Sequence, residues 1–232
     1  VVRLYEQDAL LRAAGDTIRP GQLTLTRQLI EACDLPRGAS VLDIGCGIGA
    51  TVDYLSDEFH AFGVDVSSKL LHLGRQRFPS RMLLRASGES LPVADQSLDA
   101  VLMECSLSVM PDTDCAIREC WRVLKPGGKL AISDLYVRNP AGVENLRRLT
   151  FGSCVRGALT KEDLLSRLGG FDLMLWEDHT QALKAFTAQL IFTYGSFEQF
   201  WCSSSCASPS LAITQAKPGY CLLIAQRRAF YG

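Results

Sequence analysis

The chain has 232 residues, 24 basic against 25 acidic, and a formal net charge of -1. That length suits one substantial α/β domain and is short for two, and the balanced charge, with no basic run interleaved with aromatics, excludes an electrostatic grip on nucleic acid. No apolar run reaches the roughly 18 uncharged residues of a membrane span, and the N-terminal stretch carries charges throughout, so the expectation is a cytoplasmic chain without a signal peptide.

Residues 3–14 read as a short amphipathic helix. Arg19-Pro20-Gly21 breaks it before a second helix at about 22–33, with Leu23, Leu25, Leu29 and Ile30 as its buried face. The organising stretch follows at Ser40–Ala50. Val41-Leu42 opens an apolar strand, Asp43 closes it, and Gly45, Gly47 and Gly49 make a turn ahead of a helix that starts near Ala50. A strand, a glycine turn and a helix N-terminus together let backbone approach a ligand closely. Gly63-Val64-Asp65 ends the next apolar run, and an acid about 20 residues after the first glycine is placed to bind ribose hydroxyls.

From residue 40 strand and helix alternate, which predicts a parallel sheet covered on both faces. Strands are expected near 40–44, 60–65, 81–86, 98–103 and 128–134, with helices at about 50–57, 67–77 and 113–123; Ser67 is the predicted cap of the second of these. Lys125-Pro126-Gly127-Gly128 reads as the turn before the fifth strand. Beyond 134, Thr160 with Asp163 predicts a capped helix at 160–168. A strand at about 171–177, an apolar helix over 180–200 and a last strand at 220–226 follow.

The glycine turn separates two ligand classes. Its spacing is G-x-G-x-G with Asp43 two residues upstream, which suits an ammonium-bearing ligand better than a pyrophosphate. At these residues the chain resembles the class I S-adenosylmethionine (SAM)-dependent methyltransferases, whose first motif is D-x-G-x-G-x-G. Ser87-Gly88-Glu89-Ser90-Leu91-Pro92 is similar to their D-A-E-x-L-P segment, with Ser87 where Asp is usual, and Arg122-Val123-Leu124-Lys125-Pro126-Gly127-Gly128 matches their R-V-L-K-P-G-G turn.

The resemblance implies a Rossmann-like, seven-stranded, mostly parallel sheet with helices on both faces and an antiparallel sixth/seventh strand hairpin. It implies one domain over 1–232: a helical cover at 1–35, a SAM-binding core at 36–137, and substrate-side elements with the edge strands at 138–232. The cofactor residues it implies are Asp43, Gly45, Cys46, Gly47, Gly49, Asp65, Val66, Ser87, Gly88, Glu89, Glu104 and Cys105. In many relatives an N-terminal helical segment covers the cofactor. Here Arg19 and Tyr5 are read as a solvated cation and a packing ring rather than as contacts to the cofactor carboxylate.

A narrower resemblance concerns the acceptor. Met103-Glu104-Cys105-Ser106-Leu107-Ser108-Val109-Met110-Pro111-Asp112 is similar to the S-N-C-V-x-N-L-x-P-D segment of arsenite methyltransferases, and Ser133-Asp134-Leu135-Tyr136 to their S-D-x-Y. Phe151–Leu159 resembles W-G-E-C-L-G-G-A-L, whose cysteine binds arsenic, and ubiquinone- and menaquinone-type methyltransferases are similar in the same motifs. Cys154 is thereby a candidate substrate thiolate, with Arg156 as the charge that lowers its pKa. Glu104, where relatives carry Asn, is a second candidate at the reacting centre.

The nine cysteines are odd in number and mostly sit in apolar runs, so a disulfide framework and a bound metal are both unexpected. Cys202, Cys206 or Cys221 is the expected thiol partner of Cys154. The function implied is methyl transfer from SAM to a small-molecule or soft metalloid acceptor. A non-catalytic SAM-binding regulator or complex subunit and a NAD-dependent oxidoreductase stand as alternatives. A homodimer or protein partner is expected through the apolar 180–200 helix.

Overall fold

The structure is a computed structural model describing Glu6 and residues 16–149, 154–194 and 209–229. Its centre is a sheet in the order β3-β2-β1-β4-β5-β8-β7. The parallel strands are β1 (Ser40–Ile44), β2 (His60–Asp65), β3 (Met82–Arg85), β4 (Leu98–Glu104) and β5 (Leu124–Val137). β1 lies between β2 and β4, so four of its five residues are buried and it reads as a continuous apolar run.

The helices are α1 (Gln22–Cys33), α2 (Ala50–Leu55), α3 (Ser68–Arg77), α4 (Thr113–Val123), α5 (Val143–Arg147), α6 (Cys154–Gly157), α7 (Lys161–Arg167), α8 (Thr180–Tyr194) and α9 (Pro209–Ala216). Alternation along the strands separates the faces. Leu42, Ile44, Val101, Met103, Leu130 and Ile132 pack with Ile117 and Cys120 of α4, whereas Val41, Ala100, Leu102 and Ala131 pack with Leu29, Ile30 and Cys33 of α1. Each fully buried Leu or Ile contributes roughly 1.5–3 kcal/mol of transfer free energy, so these two layers dominate stability. The predicted caps are in place: Ser67 Oγ accepts from Leu70 N, and Thr160 Oγ1 from Asp163 N.

The expected mostly parallel sheet, with its last two long strands antiparallel, is present, and three details refine it. A two-residue strand β6 (Leu159–Thr160) pairs with β5 outside the main path, which makes the sheet eight-stranded. The last two long strands, β7 (Phe171–Asp178) and β8 (Pro218–Arg227), are antiparallel as expected but are not a hairpin, because α8 and α9 stand between them in sequence. β8 also pairs antiparallel with β5, so the last strand fills the interior and β7 takes the edge. A hairpin needs only a local turn, whereas this order lets the insert sit at the C-terminal end of β5.

The predicted 3–14 helix lies, apart from Glu6, outside the described residues, as do residues 195–200 of the predicted apolar helix. α8 itself buries Leu190 but leaves Phe192 93% exposed. Among the described residues no helix is long and apolar enough to cross a membrane.

Strand order reverses between β1 and β4, and open α/β sheets bind ligands in the crevice beyond the strand C-termini at such a point. The glycine turn leaves β1 there, Asp65 ends β2, and Glu104 ends β4.

Candidate functional site

The glycine turn is set by backbone geometry. Gly45, Gly47 and Gly49 have φ of 80°, 56° and 88°, which side-chain-bearing residues rarely adopt. A Cβ on Gly45 would stand 2.5 Å from Ser106 Cβ, and one on Gly49 2.8 Å from Leu83 Cδ2, whereas one on Gly47 would meet nothing within 4 Å. Gly45 and Gly49 are therefore packing glycines, and Gly47 presents the open face of the turn. Gly45 N and Cys46 N both donate to Val64 O, at 2.8 and 3.1 Å, tying the turn to β2. The Cys46 side chain is buried against Gly63, so only its backbone faces the turn.

Asp65 meets the turn from β2. Its Oδ2 accepts from Gly47 N at 2.9 Å and its Oδ1 from Ser67 N at 2.7 Å. Val66, between them in sequence, is 44% exposed on the rim. Asp43 is buried beneath the turn. Burial, reinforced by Glu104 and Asp65 and opposed by Arg19, pushes its carboxyl up to about 8.

Arg19, expected in solvent, is instead buried, with a side chain only 10% exposed. Its Nη2 lies 3.0 Å from Glu104 Oε2 and donates to Thr26 Oγ1 at 2.6 Å and Thr51 Oγ1 at 2.8 Å. Thr26 donates in turn to Glu104 Oε1 at 2.9 Å and Thr51 to Oε2 at 3.0 Å. Burial opposes the Arg19 charge, but Glu104 and Asp43 outweigh it and hold its pKa above the usual value. Removing one partner of such a pair leaves an uncompensated buried charge, so the network fixes the N-terminal segment, α1, α2 and β4 as a unit. Periodicity did not reveal it. The one sequence signal was Thr26 on the otherwise apolar buried face of α1.

On the opposite side of the turn, Ser87 Oγ donates to Glu89 Oε2 in a short bond, and Asp112 N donates to Glu89 Oε1 at 3.3 Å. The Ser87 hydroxyl is thus committed to Glu89. Gly88 packs closely, since a Cβ there would stand 3.0 Å from Ile44 Cγ2 and from Met110 Cε.

Beyond Glu104 the chain turns through Cys105 at φ 53°. Cys105 Sγ lies 3.3 Å from the hydroxyl of Tyr220, which is fully buried and within 3.1 Å of Ser133 Oγ. Cys154, on α6, is buried in the same apolar cluster as Tyr220, Leu135 and Val155, and Cys105 packs against that cluster. Burial first, then Asp134 and Cys154, push the Cys105 thiol well above the usual cysteine range. Asp134 accepts from Ser108 N at 2.9 Å, Ser108 Oγ at 2.6 Å and Leu135 N at 2.7 Å. It thereby holds the 3-10 turn at Leu107–Val109 that carries the loop after Cys105.

The expected thiol partners of Cys154 are revised accordingly. Cys221 belongs to the cluster on the opposite face from Tyr220, because neighbours on one strand point to opposite sides, and its Sγ donates to Asp134 O at 3.4 Å. Cys202 and Cys206 lie outside the described residues. Cys105, assigned above to the cofactor, packs against the cluster that holds Cys154. Arg156 is exposed and its Nε donates to Arg147 O at 3.3 Å, so it reads as a surface cation and not as the activator of a buried thiol. No group of three or more His, Cys, Asp or Glu able to hold a metal ion occurs among the described residues.

Residues 42–132 match the family model described as "Methyltransferase domain". Over 122 residues the chain is 40% identical to "Methyltransferase GfsG" of Streptomyces halstedii, covering 49% of this chain and 44% of that one. It is 34% identical over 161 residues to an arsenite methyltransferase of Aquipseudomonas alcaligenes, covering 61% of this chain and 46% of the relative. The chain thus spans about half the length of the curated relatives it matches. Among solved structures it is similar to the [4+2]-cyclase SpnF, with a TM-score of 0.73 and 25% identity over 97% of this chain and 93% of that one. Residues 42–132 thus match a methyltransferase domain, and with the glycine turn and the sheet order they make the chain similar to the class I SAM-dependent methyltransferases.

Proposed function

We propose that this chain binds SAM over the C-terminal ends of β1, β2 and β4 and moves its methyl group to a small-molecule acceptor beside Cys105, Cys154 and Tyr220. The observation that carries the reading is Asp65. Each of its oxygens is held by a backbone N–H, from Gly47 or Ser67, which leaves each a lone pair for one of two adjacent ribose hydroxyls.

The surrounding residues fit the same ligand. Gly47 leaves the face of the turn open. Asp65 and Glu104 set two carboxylates against the single guanidinium of Arg19, and the buried, protonated carboxyl of Asp43 beside them is a third acid that an arriving cation can ionise. That excess of acid suits an ammonium and a sulfonium and opposes a pyrophosphate, which argues against the NAD-dependent alternative. Cys46 and Gly45 line the turn through their backbones, Val66 stands on the rim, and Gly88 with Glu89 walls the base. Bound SAM supplies a methyl group on a sulfonium that is already a good leaving group. The chain then needs chiefly to align the acceptor and exclude water, which the cluster around Leu135, Cys154, Val155 and Tyr220 is suited to do.

Two thiols of one cluster, the half-buried Cys105 and the buried Cys154, favour a soft thiophilic acceptor such as trivalent arsenic, and the arsenite methyltransferase similarity agrees with it. The Cys105 thiol, held well above the usual cysteine range by burial, is neutral in this reading until the acceptor displaces its proton. The test is transfer of a labelled methyl group from SAM to trivalent arsenic with excess thiol, in wild type, Cys105→Ser and Cys154→Ser. Turnover lost in both variants supports the metalloid acceptor. Turnover in neither variant nor wild type, with S-adenosylhomocysteine still bound, moves the acceptor to an ordinary carbon, nitrogen or oxygen nucleophile.

The similarity to SpnF, a [4+2]-cyclase, favours a second reading, in which the chain serves a reaction other than methyl transfer. Binding of S-adenosylhomocysteine without transfer to any acceptor in a broad panel would support it.

A further inference from the structure

Cys154 stands on α6, a helix of only four residues, which cannot hold itself in place by its own hydrogen bonds. Its position is set by what α6 rests on, and two supports meet there. On one side lies the 3-10 turn at Leu107–Val109. A Cβ on Gly157 would collide with Ser108 O and stand 3.0 Å from Ser108 C, so only glycine lets the helix lie directly on that carbonyl. On the other side, Leu159 and Thr160, just beyond the helix, pair with Tyr136 and Val137 of β5.

Asp134 joins the two supports. It belongs to β5, and its Oδ2 accepts from Ser108 N at 2.9 Å, while its Oδ1 accepts from Ser108 Oγ at 2.6 Å and from Leu135 N at 2.7 Å. The carboxylate is 2% exposed, so water does not stand in for a bond that is lost. The preceding residue of β5 fixes the other thiol, because Cys105 N donates to Ser133 O at 2.7 Å. One stretch of strand therefore sets Cys105 directly and Ser108, the seat of α6, through a side chain.

We propose that Asp134 is a positioning residue for the thiols assigned to the acceptor: by clamping Ser108 to β5 it sets the carbonyl on which Gly157 rests, and so holds Cys154 in the cluster it shares with Cys105. The acceptor role of those thiols rests on the function proposed above, whereas the clamp rests on the geometry alone. The position calls for a carboxylate. An amide has one acceptor oxygen, and either way it turns, its NH2 faces Ser108 N or Leu135 N and leaves a buried backbone donor unpaired.

Alkylation of the folded full chain by iodoacetamide, followed at each cysteine by mass spectrometry, tests this. Cys33 is fully buried in the layer between α1 and the sheet, so it is labelled only when the chain opens as a whole and serves as the reference. Asp134→Asn and Gly157→Ala should each raise the Cys154-to-Cys33 ratio of labelling rates at least about tenfold. Ser108→Ala, which keeps Ser108 N on Asp134, should raise it about threefold. Both of the first two variants release the same contact, so combining them should add less than about twofold to the larger single effect. Affinity for S-adenosylhomocysteine, read by calorimetry, should stay within about twofold of wild type.

An unchanged ratio in Asp134→Asn or Gly157→Ala overturns the proposal, and so do effects that multiply in the double variant. A loss of S-adenosylhomocysteine affinity as large as the rise in the ratio assigns Asp134 to the cofactor side and also overturns it. If either of these variants does not fold, Ser108→Ala decides: a raised ratio supports the clamp and an unchanged one refutes it. The proposed function fails separately. Wild type that labels as expected but moves no methyl group to trivalent arsenic loses the metalloid acceptor and keeps the clamp. A raised KM for arsenic at unchanged kcat in Asp134→Asn supports both.

Discussion

The hydroxyl of Tyr220 lies 3.3 Å from Sγ of Cys105, so a residue of β8 packs against the residue that follows β4. The same hydroxyl reaches Ser133 Oγ at 3.1 Å and Ser133 O at 3.2 Å. Tyr220→Phe removes that partner from a fully buried serine and should cost about 1–3 kcal/mol in urea denaturation. Binding of S-adenosylhomocysteine should be unchanged, since Tyr220 makes no bond to the glycine turn. A loss of cofactor affinity at unchanged stability would contradict this placement of Tyr220.

Asp65 serves both the ligand and the turn, because its oxygens also fix Gly47 N and Ser67 N. Asp65→Ala should weaken S-adenosylhomocysteine at least about tenfold, or about 1.4 kcal/mol, in a calorimetric titration. Asp65→Asn, which keeps one acceptor oxygen, should lose less. Unchanged affinity in the alanine variant would remove the ribose from this position.

The buried carboxyl of Asp43 makes ligand-free stability depend on pH. The unfolded chain releases that proton near 3.8 and the folded chain only near 8, so between these values each rise in pH favours the unfolded chain. The contribution of Asp43 is complete below about pH 4 and gone above about 8. Asp134 acts in the same sense, but its carboxyl is pushed up only to about 6 by burial, against the bonds from Ser108 and Leu135. The interval from pH 6.5 to 8 therefore reports mainly Asp43. Wild type should lose up to ~1.4 kcal/mol per unit there, and Asp43→Asn should flatten the slope. Parallel slopes in guanidinium denaturation of the two proteins would refute a protonated Asp43.

Two glycines of one turn should respond differently. Gly45→Ala meets both an unfavourable φ of 80° and Ser106 Cβ at 2.5 Å, and it should destabilise the ligand-free protein by several times the roughly 1 kcal/mol of conformational strain alone. Gly47→Ala meets strain but no atom, so it should cost only about 1 kcal/mol in stability while reducing cofactor affinity more than Gly45→Ala reduces it per unit of stability lost. Thermal denaturation with and without S-adenosylhomocysteine separates the two. Similar destabilisation by both would mean that Gly45 does not pack on Ser106 as described.

Local pattern carried most of the architecture. The apolar runs that end at Ile44, Asp65 and Glu104, the glycine turn, and the caps at Ser67 and Thr160 were legible because each depends on residues within a few positions of one another. The spacing likewise placed Asp65 at the end of β2, where it meets the glycine turn at Gly47 N, before the sheet was seen. The burial of Arg19 was not legible. Its partners lie 7, 32 and 85 residues away in the chain, and an isolated arginine beside Pro20-Gly21 has no local feature that separates a solvated cation from a buried one. The packing of Cys105 against the cluster that holds Cys154, and the placing of Cys221 on the other face, were hidden for a related reason. Which face a cysteine presents is fixed by strand register, and only the antiparallel pairing of β8 with β5 set Tyr220 toward Cys105 and turned Cys221 away. Sequence by itself determined the elements, the glycine turn and the place of Asp65, because those are short-range. Tertiary structure alone decided the charge network around Arg19 and the cluster around Tyr220 and Cys154, because both are built from side chains that only long-range packing brings together.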